Sequence, residues 1–418
     1  MINEKASNPI PPDFPGAVMF DEAEVQSVVE VVRACSPFRY YGPNLLNKVG
    51  AFEKEFARMV GVPYCLAVSS GTAALIVALR ALGIGPGDEV IIPAHAFIAC
   101  VEAVILCGAT PVFAEIDESL TLDPTDLENR VTSKTKVIMP IHIEGAACAM
   151  DRILAIAQAR GVAVLEDCAQ ACGAKYGNRR VGSLGHIGAF SFQINKTITT
   201  GEGGAVTTAD FYLYKRAIRA HDHGTIRDSH GRLVLTDAGE TFVSENYRMS
   251  ELAGALGLAQ LAKLDFIIDS MRKIKRTIKE GLGKLHHFEF RKIWDEAGET
   301  GRRLILIAET PTLAKGLAFK LAKVGFAAEV PYGGRPVYEH CQIKQMRMWY
   351  EKEVKREDEI RCPRTEDLLS RSVMIGLNPK FNSVHVEQLI HAIKEFDFNP
   401  KGGDVCEELT IKNTKNKI

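Results

Sequence analysis

The chain has 418 residues, 25% of them charged and 46% hydrophobic, with a formal net charge of −1. That length exceeds one ordinary core and predicts two domains, and the balance is that of a globular enzyme, not of a disordered or fibrous chain. The near-zero charge offers no electrostatic case for nucleic acid or an acidic membrane, and no apolar run reaches the roughly 18 residues of a membrane span.

The first 45 residues are rich in Pro, Gly and aromatics and read as an arm laid across a body. They contain no apolar stretch like the core of a signal peptide, so a cytoplasmic protein is expected. From about residue 46 the pattern alternates. "GTAALIVALRALG" is a helix with a dense apolar face, "GPGDEVIIP" a turn feeding a strand, and "AFIACVEAVILCG" a buried helix. The strands "TPVFAEI" and "TKVIMPI", the helix "MDRILAIAQARG" and the strand "VAVLED" follow. Strands alternating with helices of about 10–15 residues predict a mostly parallel sheet with both faces covered. "LDFIIDSMRKIKRTIKEGLGKL" reads as a long amphipathic connecting helix from about 265. The strand "RRLILIAE", the helix "LAKGLAFKLAKVG", an irregular stretch through 370 and the helix "VHVEQLIHAIKEF" complete a smaller α+β domain over 266–398, ahead of a polar tail over 399–418. Ten cysteines form no CxxC pair and mostly lie among apolar residues. Reduced, buried thiols are expected of them, without chemistry.

Three stretches place reactive groups where strands of an open parallel sheet end, which is where ligands gather. In "SSGTAAL", 69–75, small residues lead into a helix. The amides around Gly71, Thr72 and Ala73 should point at one spot and suit a phosphate, although the same pattern is an ordinary helix cap. In "VLEDCAQACGA", Asp167 ends an apolar strand as a partly desolvated acid, either capping the next helix or facing a protonated ring nitrogen. In "SFQINKTITTGEGG", 191–204, Lys196 follows a strand ending near Ser191 and opens a glycine-rich turn. Singly it is a solvated loop charge. A phosphate nest, an acid at a strand end and a lysine on a turn, in that order, are the parts that hold pyridoxal 5′-phosphate (PLP).

At these residues the chain resembles the DegT/DnrJ/StrS family of sugar aminotransferases, from about residue 38 to 397. "SSGTAAL", "GIGPGDEVI", "LEDCAQACGA", "SFQINKTITTGEGG" and "NYRMSELAGALGLAQL" match it in order and approximate spacing. The resemblance implies the aspartate-aminotransferase architecture (fold type I): an α/β large domain over 46–265 with a mostly parallel central sheet, plus the smaller C-terminal domain. It implies that Lys196 carries PLP as a Schiff base and shuttles a proton, that Asp167 pairs with the ring nitrogen, and that Gln170 approaches the phenolic oxygen. Phe97 would stack on the ring, Gly71, Thr72 and Ser191 would hold the phosphate, and Glu202–Gly204 belong to the lysine-bearing turn. Asn246 would reach the phosphate of the neighbouring subunit of a homodimer with shared sites. Glutamate or glutamine would donate the amine to a keto or aldehydo sugar. "FAEIDESLTL" and "HDHG" point to members acting on an 8-oxo derivative of 3-deoxy-manno-octulosonate (Kdo) for lipopolysaccharide. A nucleotide-linked keto sugar or an aminocyclitol is the alternative, and "PIHIEGAACAMD" departs from the "VHLYG" usual in nucleotide-sugar members.

Arg39, Arg248 and Arg335 are candidates for substrate or donor carboxylates, with a salt-bridged structural role open for each. His142, beside Glu144, is either a site residue or a satisfied core histidine. His221 and His223 alone make a poor zinc site, and no metal is expected. Dehydratases of the fold carry histidine where this chain has Lys196, and a regulator would need a DNA-binding module that the chain does not show. A generic α/β binding protein would leave the order of Asp167 and Lys196 a coincidence.

Overall fold

The computed structural model describes residues 8–235, 240–350 and 361–400, with the side chains of 346–350 left aside. The tail expected over 399–418 therefore lies, from residue 401, outside the described residues.

Nine strands lie in the first half of the chain: β1 Tyr64–Val68, β2 Glu89–Pro93, β3 Thr110–Ala114, β4 Thr135–Ile138, β5 Ala163–Asp167, a small hairpin β6 Lys175–Tyr176 and β7 Arg179–Arg180, then β8 Ile187–Ser191 and β9 Gly204–Thr208. Seven of them form one sheet in the order β1-β9-β8-β5-β4-β2-β3. The pairs from β3 across to β8 run parallel, and only β9 runs against its neighbours. Helices α1 Glu22–Arg33, α2 Lys48–Val60, α3 Gly71–Ala81, α4 Ile98–Leu106, α5 Pro124–Arg130, α6 Met150–Arg160, α7 Phe211–His221 and α8 Glu251–Leu261 accompany them.

Alternation along the strands explains the layers. Leu66 and Val68 of β1, with Ile187 and Ala189 of β8, pack on the α3–α4 side. Cys65, Ala67 and Phe190 turn to the opposite face, where Phe52, Phe56 and Phe192 join them. With period two, a strand buried on both faces is apolar at successive positions, as residues 65–68 of β1 and 187–190 of β8 are. Four phenylalanines meet there at ring-centroid distances of 4.9–5.5 Å.

Helix α9, Leu264–Leu282, joins the two halves. Leu264, Ile267, Ile268 and Met271 pack on the first core, and Ile278 and Leu282 on the second. This helical stripe makes α9 a shared strut across the boundary expected at 265. The second sheet is antiparallel, in the order β10-β11-β13-β12: β10 Phe288–Phe290, β11 Arg303–Ala308, β12 Ala328–Glu329 and β13 Ser372–Gly376. It is covered by α10 Pro311–Val324 and α13 Ser383–Phe398; α11 Cys341–Tyr350 and α12 Pro363–Arg371 complete the set. Alternate residues of β11 and β13, Ile305 and Met374, pack with Ile116 and Leu120 of the large domain. The stretch expected to be irregular through 370 contains α12, and the strand that follows, unforeseen in "SVMIG", sits inside the small sheet.

No helix among the described residues is long and apolar enough to cross a membrane. Of the nine described cysteines seven are buried or half-buried, whereas Cys35 and Cys341 are exposed.

Candidate active site

Each predicted group arrives at a strand's carboxyl end. Chain direction puts Asp167 at the end of β5, Ser191 at the end of β8, and residues 69–71 after β1. Ser70 caps α3, its hydroxyl accepting from the Ala73 amide at 3.0 Å. Ala73 is therefore committed to the cap and corrects the expectation that three amides face a phosphate. The amides of Gly71 and Thr72 have no acceptor among the described residues. A Cβ at Gly71 would lie 2.7 Å from the Ser191 Cβ, so glycine is required for α3 to meet β8 this closely.

The lysine-bearing turn is held by its own threonines. The Thr199 hydroxyl donates to the Phe192 carbonyl at 2.9 Å and accepts from the Gly201 amide at 2.9 Å. Thr200 donates its hydroxyl to the Glu202 carbonyl at 2.7 Å, and the Lys196 amide bonds the Gln193 carbonyl at 2.9 Å. Gly201 is left-handed, at φ +81, and a Cβ at Gly204 would sit 2.3 Å from the Ser70 carbonyl oxygen. The turn thus leans directly on the cap of α3. The Lys196 amine itself has no hydrogen bond or ion pair among the described residues. Burial lowers its pKa below the ordinary lysine value, with Arg302 in the same direction and Glu144 and Asp167 opposing.

Asp167 is 3% exposed. Its Oδ1 accepts from the Ala169 amide at 2.9 Å and its Oδ2 from the Cys100 thiol at 3.0 Å. Gln170, Lys196, Asn195 and Glu144 line one cleft with Arg302 and Arg303. Glu144 stands at φ +47, an uncommon conformation for a non-glycine residue. Its carboxylate accepts from Arg303 Nε at 2.9 Å, and its carbonyl from Arg291 at 2.9 Å. Burial alone would raise the Glu144 pKa; the guanidiniums of Arg303 and Arg302, then Lys196 and Arg291, pull it down to about 2. Asp13 of the arm closes the far side, pairing with Arg303 at 3.0 Å and with Arg302.

A depressed carboxyl contributes stability above its unfolded pKa and loses it as pH falls through the folded one. Glu144 should therefore contribute up to about 3 kcal/mol at neutral pH, lost between about pH 4.5 and pH 2. Urea unfolding of Glu144→Gln against the parent at pH 7 and at pH 3 checks this, and the difference between them is expected to shrink at the lower pH.

Other candidates fall elsewhere. His142 is fully buried and does not line the cleft. Its Nδ1 accepts from the Cys148 amide at 3.1 Å, so the ring proton sits on Nε2 and is donated to Glu166 at 3.1 Å. Arg39 is buried as well, with one nitrogen on Glu53 at 2.8 Å and another on the Ala67 carbonyl at 3.0 Å, a role in the fold and not at a carboxylate ligand. Arg248 pairs with Asp222. Arg335 is exposed and forms no ion pair among the described residues. Phe97, the N-cap of α4, is 54% exposed, one turn before Cys100. Asn246 is exposed, and its side-chain amide nitrogen has no partner among the described residues. His221 bonds Tyr40 at 2.9 Å, and burial drops its pKa to about 3, while exposed His223 lies apart from it.

His142, Glu166 and Cys168 do bring three potential ligand atoms within 4.8 Å of one another. The Glu166 lone pairs, however, are spent on the amides of Gly182, Leu184 and Gly185 at 2.7–2.8 Å and on His142. Arg302, Arg303, Asn195, Asp13 and Cys100 carry no signal in the sequence that would have placed them here. Only Glu144 carried a signal, the departure of "PIHIEG" from the family pattern.

The residues present fit PLP: two unpaired amides beside Ser191, a buried acid and an unpartnered, desolvated lysine converge on one side of the sheet. Residues 21–394 match the DegT/DnrJ/EryC1/StrS aminotransferase family. The chain belongs to this family. It is a PLP-dependent sugar aminotransferase of the α/β fold seen in its relatives. GDP-perosamine synthase of Escherichia coli O157:H7 is 37% identical over 353 residues, covering 84% of this chain and 90% of that protein. The spore coat polysaccharide biosynthesis protein SpsC of Bacillus subtilis (strain 168) is 44% identical over 251 residues, 59% of this chain and 63% of SpsC. The crystal structure of 3-amino-5-hydroxybenzoic acid synthase superposes with a TM-score of 0.81 at 30% identity, over 92% of this chain and 99% of that one.

Proposed function

We propose that this aminotransferase moves an amino group from glutamate or glutamine to a nucleotide-linked keto sugar. The observation that carries the chemistry is the unpartnered Lys196 amine, held beside buried Asp167 on a turn that leans on the α3 cap. The nucleotide-linked substrate is supported by the extended similarity to GDP-perosamine synthase. A second reading, an 8-oxo Kdo sugar, would need its carboxylate to compete with Asp13 and Glu144 for Arg302 and Arg303, the guanidiniums that line the cleft.

In this reading the amides of Gly71 and Thr72, with Ser191, would hold the phosphate, Phe97 would cover the ring, and Gln170 would meet the phenolic oxygen. Asp167 keeps a proton on the ring nitrogen, and Lys196 Nζ takes a proton from the donor's α-carbon and returns it on the opposite half-reaction. When bound, PLP supplies the electron sink that makes that α-carbon acidic. The enzyme works in the cytoplasm as a homodimer, with Asn246 extending to the second subunit's site; its exposed side-chain amide nitrogen, without a partner among the described residues, supports that placement.

The test is donor consumption with PLP present, offered nucleotide-linked keto sugars and 8-oxo Kdo in parallel. Release of the donor's 2-oxo acid (2-oxoglutarate from glutamate, 2-oxoglutaramate from glutamine) with a nucleotide-linked acceptor supports the first reading. Release with 8-oxo Kdo alone replaces it with the second, and no transfer to any sugar refutes both.

A further inference from the structure

Asp167 is held from two sides, and only one of them belongs to its own loop. The Ala169 amide takes Oδ1, two residues along the chain, as any short turn allows. The Oδ2 oxygen is met by the thiol of Cys100, 67 residues away on α4. We propose that Cys100 is a positioning residue for Asp167: its S–H fixes the plane of the carboxylate and ties that plane to the first turn of α4. This inference rests on the reading that Asp167 faces the ring nitrogen of PLP.

Three observations carry it beyond simple packing. The two groups are 1% and 3% exposed, so no bulk water stands ready to replace the thiol if it is removed. Burial and the neighbouring carboxylate hold the Cys100 pKa well above its ordinary value, so the sulfur remains a donor and never becomes a competing anion. The Cys100 amide bonds the Phe97 carbonyl at 3.1 Å, so one helical turn carries both the thiol on the acid and the aromatic residue expected to cover the ring. A shift of α4 would move both together.

Sulfur also has a chemical consequence. A thiol donates more weakly than a hydroxyl, so it orients Oδ2 while withdrawing less of its charge. The carboxylate is left more basic toward a third partner than it would be under a serine. The alternative role for Cys100 is that of a small hydrophobe in the α3–α4 core, where it also packs. That role predicts a loss of stability that alanine and serine share, and no specific change in cofactor binding.

The experiment compares Cys100→Ala, Cys100→Ser and Asp167→Asn with the parent. It measures equilibrium binding of PLP to each apoprotein by absorbance, the thermal midpoint of each apoprotein, and the rate of the half-reaction with glutamate. Losing a hydrogen bond to a buried charge should weaken PLP binding in Cys100→Ala about tenfold and slow the half-reaction by a similar factor, with serine restoring binding to within about twofold. Two results overturn the proposal: Cys100→Ala binding PLP as the parent does, or alanine and serine losing binding equally in step with the thermal midpoint. If Asp167→Asn collapses PLP binding while Cys100→Ala does not, the role of Cys100 alone falls. If Asp167→Asn also binds and reacts as the parent does, the reading of Asp167 falls with it.

Discussion

Replacing Lys196 by alanine is expected to slow amino transfer by about 10³-fold or more, because in the proposed mechanism one amine supplies both the covalent attachment and the proton shuttle. The fold should hardly notice. The amine makes no hydrogen bond or ion pair among the described residues, and its burial opposes its charge. Removing it deletes no hydrogen bond, and burial outweighs the attraction of Glu144 and Asp167 for its charge, so the apoprotein's thermal midpoint should stay within a few degrees of the parent's or rise slightly. Single-turnover rates with glutamate, measured beside a thermal scan, check both halves of this expectation. A large fall in the midpoint would mean that the lysine is structural after all.

The opposite pattern is expected at Glu166, the preceding neighbour of Asp167. Successive strand residues point to opposite sides. Asp167 therefore faces α4, where Cys100 meets it, whereas Glu166 turns into the layer that receives the 181–185 loop. There, fully buried, it accepts from the amides of Gly182, Leu184 and Gly185 and from His142. Glu166→Ala would strand these buried donors at once, and a cost of about 3–5 kcal/mol is expected in equilibrium unfolding. PLP binding should fail only as far as the fold does. In urea unfolding, a loss under about 1 kcal/mol would contradict the assignment, since it would mean that water or relaxed backbone satisfies the loop.

These two acids show where the sequence was legible and where it stopped. Asp167, Lys196 and the 69–75 stretch could be read because each stands at the end of an apolar run, and their order matches what one cofactor needs. The parallel sheet was legible for the same reason: strands buried on both faces write their periodicity plainly. Glu166 lies in the same quoted stretch as Asp167, but nothing local tells that its partners are amides 16–19 residues further on. Cys100 reads as one more small apolar residue, and only the packing of α4 against β5 reveals its hydrogen bond. Asp13, Arg302 and Arg303 meet across 289 residues of chain for the first pair, so no window of sequence displays their junction. Of the arginines left open from sequence between ligand and salt bridge, Arg39 and Arg248 are paired with Glu53 and Asp222. A guanidinium's role is decided by its neighbours in space, and neither spacing nor residue type announces them.

The central claim is that this enzyme holds PLP through Lys196. Reducing the PLP-loaded protein with borohydride and mapping the modified peptide tests it most directly. A single pyridoxyl-phosphate adduct is expected on Lys196, within the peptide containing "SFQINK", and none in Lys196→Ala. An adduct on another lysine, or no stable adduct on the loaded parent protein, would contradict it.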